Sequence, residues 1–195
     1  YAAAFLAAVY LWKDGNSDRL ARIGKNDSLR SAAVLLLALL IRIVFSFFVE
    51  GYSVDVNCFL SWGNTMSQVG PTQFYQSTSF CDYPPLYAYV LGMNARICSL
   101  LNAGTGLTRV IYRLIPYLCD IAGCWILLHV LKKNTDLNPY RKYIILLLAF
   151  NPVTVLNSAA WGQMDSVLCL LLLCVAICAT RRKWISAVML YAVSV

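Results

Sequence analysis

A chain of 195 residues that is 60% hydrophobic, 13% aromatic and only 13% charged departs from soluble domains, which average roughly 45–50% apolar and about 25% charged residues. That composition excludes a disordered chain, a collagen-like repeat and a small disulfide scaffold, and it leaves too little polar side chain to coat a conventional soluble core. The formal charge of +7, from 16 Lys and Arg against 9 Asp and Glu, is gathered into short segments between apolar runs, so it marks membrane orientation and not a nucleic-acid surface.

The first apolar run, 1–12, is the tail of a preceding span or a truncated helix. With Tyr1 in first place and an apolar run restarting at Trp184 shortly before Val195, the chain reads as the N-terminal part of a longer protein. The polar segment 13–30 holds Lys13, Arg19, Arg22, Lys25 and Arg30, a cytoplasmic anchor under the positive-inside rule. The run 31–49 is long enough for a bilayer, which takes about 20 apolar residues. It contains Arg42, lacks a cleavage pattern after it, and runs from inside to outside.

A long external loop follows, about 50–108, holding Glu50, Asp55 and Asp82; loops of such length are usually functional. Within it, 86–101 is short for a span and carries Asn94, Arg96 and several tyrosines, which suits a helix lying in the outer interface. Then 110–131 runs inward, the cluster Lys132, Lys133, Arg141 and Lys142 is cytoplasmic, and 143–160 runs outward to a short external loop at 160–165 with Asp165. Finally 166–180 returns to Arg181, Arg182 and Lys183. A crossing by 86–101 would instead put the cluster at 132–142 outside, against the charge rule. The expected organisation is therefore 1–30, a partial span with a basic cytoplasmic segment, and 31–195, the first part of an all-α, polytopic transmembrane bundle with membrane-parallel helices in its first external loop.

Several residues carry possible chemistry. Asp55, Phe59 and Trp62 stand at i, i+4 and i+7, one face of a helix; a partly desolvated carboxylate there can take a proton from an alcohol, and a solvated loop Asp beside two interfacial aromatics is the competing reading. In Phe80-Cys81-Asp82-Tyr83-Pro84-Pro85-Leu86-Tyr87, Asp82 before two prolines is a helix start whose carboxylate satisfies free N–H groups. Gly70-Pro71 followed by Phe74-Tyr75 is a turn with an interfacial anchor. Asn151-Pro152 predicts a kink or unwinding of 143–160. In Trp161-Gly162-Gln163-Met164-Asp165, an aromatic beside an amide and a carboxylate is a platform for a sugar, and Asp165 is equally a helix cap. Arg109 and Arg113 can grip a lipid phosphate or snorkel to headgroups. Arg42 and Asp120, inside spans, are an ion pair, structural or functional. The 8 cysteines form no Cys-x-x-Cys pair and stand with a single histidine, His129, so no metal site is expected; Cys58 and Cys81 share the external loop as free thiols or as a disulfide.

Together these motifs resemble the GT-C superfamily of integral-membrane glycosyltransferases, which use polyprenyl- or dolichyl-phosphate sugars. The resemblance covers about 31–190. Residues 82–89 look like the matching stretch of dolichyl-phosphate-glucose-dependent glucosyltransferases, and Trp161-Gly162-Gln163-Met164-Asp165 looks like that of bacterial and archaeal relatives of the GPI mannosyltransferases. It implies a GT-C fold and Asp55 as the base that deprotonates an acceptor hydroxyl. Asp82, Tyr83, Trp62, Trp161, Gln163 and Asp165 would bind substrate, with no cofactor; Arg109 and Arg113 join them as substrate-binding candidates on their residue type alone. The implied partners are a lipid-phosphate donor of mannose or glucose, a lipid-linked, cell-surface glycan or protein acceptor, membrane lipids and no nucleic acid. The implied place is a bacterial plasma membrane or the ER membrane, with the site on the external or lumenal side. The family continues through further spans, so this stretch alone is expected to be inactive. From another class, a transporter or lipid flippase would use Arg42 and Asp120 as its working pair and the kink at Pro152 as a gate.

Overall fold

Helix α1, Gly24–Phe48, carries two stripes at four-residue spacing, the outer one wholly apolar. Val34, Ala38, Arg42 and Ser46 point inward and are buried, while Leu36, Leu40, Val44 and Phe48 point outward and are exposed. A soluble helix would place polar residues on its outer face; this one is greasy on both sides, as a lipid-facing helix is. The computed structural model describes residues 24–133 and 140–194, so the expectations for 1–12 and for most of the first basic segment lie outside the described residues. Among the described residues every regular element is a helix and none is a strand.

Among the described residues, three stretches are long and apolar enough to cross a membrane: Leu29–Phe48 in α1, Thr105–Lys132, and Arg141–Trp161. The loop after α1 folds into α2 (Ser53–Val69), α3 (Pro71–Ser77) and α4 (Pro85–Leu100) before α5 (Thr105–Lys132) begins. α4 has 16 residues, about 24 Å at 1.5 Å per residue, short of a hydrocarbon core of about 30 Å; it packs along α2. Its start corrects one expectation. Pro84 stands at the cap, Pro85 opens the helix without any side-chain cap bond, and Asp82 is exposed. Proline's fixed φ and missing N–H are enough to begin the helix.

The third long stretch is broken where the sequence predicts. α6 (Arg141–Ala149) stops before Pro152, which lacks a donor and collides with the preceding turn. Asn151 Oδ1 then accepts from Val153 N at 2.9 Å and restarts the chain as α7 (Pro152–Val155), which widens into a π-helical turn, Leu156–Trp161. That turn closes on Gly162, at φ +81° and left-handed. The shorter apolar helices α8 (Asp165–Thr180) and α9 (Trp184–Ser194) pack together beyond it, joined through the basic residues 181–183.

Two cores hold these elements. The first joins α1, α5 and α6 through Val34, Leu35, Ala38, Cys124, Leu128, Ile145, Leu146 and Ala149. The second joins α2, α3, α4 and α5 through Phe59, Trp62, Met66, Phe74, Tyr87, Leu91 and Tyr112.

Candidate functional site

Three distant stretches meet where α2 begins. Asp55 lies in the first turn of α2, and its Oδ2 accepts from Trp161 Nε1 at 2.6 Å and from Gln163 Nε2 at 2.6 Å. Gln163 Oε1 accepts in turn from the Tyr83 hydroxyl, so both ends of the amide are engaged and its orientation is fixed. Asp55, Tyr83, Trp161 and Gln163 therefore form one hydrogen-bonded set, with no protein donor on Asp55 Oδ1 among the described residues. The π-helical turn and left-handed Gly162 make this possible, because they reverse the chain within a few residues and aim Trp161 and Gln163 back at α2.

Tyr83 is half-buried and its phenol is pushed well above the ordinary value, first by burial and then by the charges of Asp165, Asp55 and Asp82. It therefore remains a donor throughout the physiological range. Its ring packs on Phe59 at 5.4 Å, Trp62 at 5.4 Å and Tyr87 at 5.6 Å between centroids.

The remaining residues singled out from the sequence lie apart from this hydrogen-bonded set. Asp165 is exposed in the first turn of α8, where the positive helix end favours a carboxylate, and accepts from Asn157 Nδ2 at 3.1 Å; Met164, not Asp165, is the cap. Trp62 shares the Asp55 face as expected but is core: it is 5% exposed and its indole donates to the Phe80 carbonyl at 2.6 Å. Asp82 is exposed and makes no bond to the set. Arg109 forms an exposed ion pair with Glu50 at 2.7 Å, whereas Arg113 is 3% exposed and turned onto backbone carbonyls. Cys58 and Cys81 are free thiols. His129 Nδ1 lies 2.9 Å from the Trp125 carbonyl. Among the described residues no group of three or more His, Cys, Asp or Glu side chains is placed to hold a metal ion.

A cavity of about 370 Å³ opens beside the set, walled by α2 (Ser53, Asn57, Leu60), the start of α5 (Thr105, Thr108, Arg109) and Trp161 with Gly162. Trp161 also borders an open recess formed with Gly51, Tyr52, Leu156 and Ala160. Asp55 is not on the cavity wall itself; its neighbours Ser53 and Val56 are, and the Trp161 indole that it holds forms part of the rim.

Arg42 and Asp120 do meet. Arg42 is 1% exposed and its Nε lies 3.3 Å from Asp120 Oδ2. Nη1 of Arg42 also donates to Ala149 O at 2.8 Å and Ala38 O at 3.2 Å, so the pair seals the broken end of α6, whose last carbonyls lack helical partners. Sequence reasoning did not find Asn157 as the partner of Asp165, nor Ser46, whose hydroxyl donates to Ala159 O at 2.8 Å. Neither has a local signal, because each contact depends on the π-helical turn. Comparison with protein-family models, with curated proteins and with solved structures gives no match.

Proposed function

We propose that the chain carries the first catalytic carboxylate of a GT-C-like glycosyltransferase. It would move a hexose, mannose or glucose, from a polyprenyl- or dolichyl-phosphate donor to a hydroxyl on the external or lumenal side of the membrane. One observation supports this above the others: a loop carboxylate after the first long apolar helix is oriented by the tryptophan and amide of a second loop, beside a cavity. Two N–H donors on Oδ2 fix the plane of the Asp55 carboxylate and leave Oδ1 to take the proton of an acceptor hydroxyl. The oxygen then forms a bond to the anomeric carbon as the bond to the lipid phosphate breaks, its electron pair leaving with the phosphate. Trp161 offers a face for the apolar side of a sugar ring, and Arg109 lies at the cavity for the charge that develops on the leaving group.

The transport reading gains less from the geometry. The third anchor of Arg42, on Ala149 O, ties the pair into a helix end, which suits a latch better than a carrier site.

The test is transfer from a polyprenyl-phosphate hexose in membranes containing the protein. Asp55→Asn and Asp55→Ala are expected to lower the rate by ~10²–10⁴-fold, the usual worth of a general base, with normal accumulation and insertion. Unchanged transfer in both variants rejects the assignment.

A further inference from the structure

Arg113 stands where the two loops meet. It projects from α5 and is 3% exposed. Its Nη1 donates to Val49 O at 2.8 Å and Ala159 O at 2.9 Å, with a longer contact to Ser46 O at 3.4 Å, and its Nη2 donates to Glu50 O at 2.7 Å. Ser46, Val49 and Glu50 are the end of α1 and the entrance to the first loop; Ala159 lies in the π-helical turn, two residues before Trp161. Helix ends expose carbonyls that lack intrahelical partners and form a negative pole. A planar, many-donor guanidinium wedged between two such ends binds both at once, which a point charge cannot do.

Two glycines make room for it. Gly51 has φ +83° and Gly162 has φ +81°, a backbone region that side chains disfavour. A Cβ on Gly51 would sit 2.8 Å from Arg113 Nη2, and one on Gly162 would sit 2.9 Å from Arg113 Cγ. The chain is thus cleared on both sides of one side chain. Four residues after Gly51 comes Asp55, and directly after Gly162 comes Gln163. The Ser46 hydroxyl adds a second bond to Ala159 O, at 2.8 Å, across the same seam.

We infer that Arg113 is a positioning residue: its side chain borders the cavity, but its Nη donors are engaged by backbone carbonyls, and the guanidinium so held sets the register between the two loops whose side chains meet at Asp55 Oδ2. This replaces the phosphate-binding role that its residue type suggested from sequence, since the cation faces carbonyls. The consequence for transfer rests on the function proposed above; the register itself does not, and the two are read separately.

The register is read with Asp55→Cys and Gln163→Cys in one chain, joined by a short bismaleimide and located by peptide mass mapping. The cross-link is expected with Arg113 present and is lost in Arg113→Lys, which keeps the charge but not the fork. Gly162→Ala, which adds one methyl against Arg113 and buries no new charge, is expected to lose it as well, and it alone decides if Arg113→Lys does not accumulate. An undiminished cross-link in either variant overturns the proposal, whatever the protein transfers. In the transfer assay, with Asp55 and Gln163 intact, Arg113→Lys is expected to lower kcat at least ~10-fold, as a misplaced catalytic group does, with KM for the donor changed less than about threefold. A raised donor KM with kcat retained would instead make Arg113 a ligand of the donor and overturn the positioning role.

Discussion

The two cores are made of different amino acids. The one joining α1, α5 and α6 is almost wholly aliphatic, Val, Leu, Ile and Ala with Cys124 and Phe150. The one joining α2 to α5 is aromatic, with Phe59, Trp62, Phe74, Tyr87 and Tyr112. The aliphatic core lies between helices whose outer faces are also apolar, so its contacts rest on close packing, and its polar members must be neutralised in place, as Arg42 is by Asp120 and Ala149. The aromatic core sits under loops and carries hydroxyl and indole groups that reach out of it: Trp62 to Phe80 O and Tyr83 to Gln163. The first is a frame, and the second couples packing to the carboxylate site.

If that contrast holds, damage should differ in kind between the two. The largest effect is expected in the frame. Asp120→Ala leaves Arg42 charged and 1% exposed, and breaking a buried pair on one side costs about 3–5 kcal/mol; detergent unfolding should reveal it. Replacing both, as Arg42→Met with Asp120→Leu, is expected to recover most of that loss, and no recovery would mean that the pair does more than neutralise. In the aromatic core, Trp62→Phe keeps a ring but removes the bond to the carbonyl of exposed Phe80, a loss of about 0.5–1.5 kcal/mol. Because Trp62 packs on Tyr83, this variant should also weaken the 55–163 cross-link, whereas Asp120→Leu with Arg42→Met should leave it intact. Equal weakening by both would erase the distinction.

The frame was the more legible of the two in sequence. Hydropathy alone marks α1, α5 and the stretch 141–161, and proline chemistry alone marks the break at Asn151-Pro152, because each is a local property of the chain. The short 86–101 helix followed from its length and polar content. At the site, the helical spacing of Asp55, Phe59 and Trp62 gave the shared face but not the division within it, Trp62 sinking into the core while Asp55 reaches across to the second loop. The meeting of Asp55 with Gln163 depends on a π-helical turn and two left-handed glycines, and no periodicity in the sequence encodes a π turn. Asp82 misled for a simple reason. Asp before a helix commonly caps it, but two prolines already open this one. Arg113 gave no local sign of its partners either: a basic residue near a membrane surface suggests headgroups, and only the fold shows its Nη atoms on backbone carbonyls.

The smallest expected effect probes the seam between aromatic core and solvent. Cys81 is partly buried beside Tyr83, whose carbonyl lies 4.0 Å from its Sγ, and its thiol is raised above the ordinary 9.0, first by burial, with the charge of Asp82 and the neighbouring Cys58 adding to it against that hydrogen bond. A raised thiol holds less thiolate at neutral pH, and thiolate is the reactive form. Alkylation of Cys81 by a membrane-impermeant maleimide should therefore run more slowly than that of a free thiol, with its rate–pH profile displaced to higher pH. Asp82→Asn removes one raising charge but leaves burial, so it should speed labelling by no more than about threefold. A profile restored to that of a free thiol by Asp82→Asn would show charge, not burial, to be in control, and with it that this edge of the aromatic core is wetter than its packing implies. Labelling of intact cells or vesicles from outside adds the topology: Cys81 should react without permeabilisation if the loop between α1 and α5 faces the exterior, and a requirement for permeabilisation would turn the whole site to the other side of the membrane.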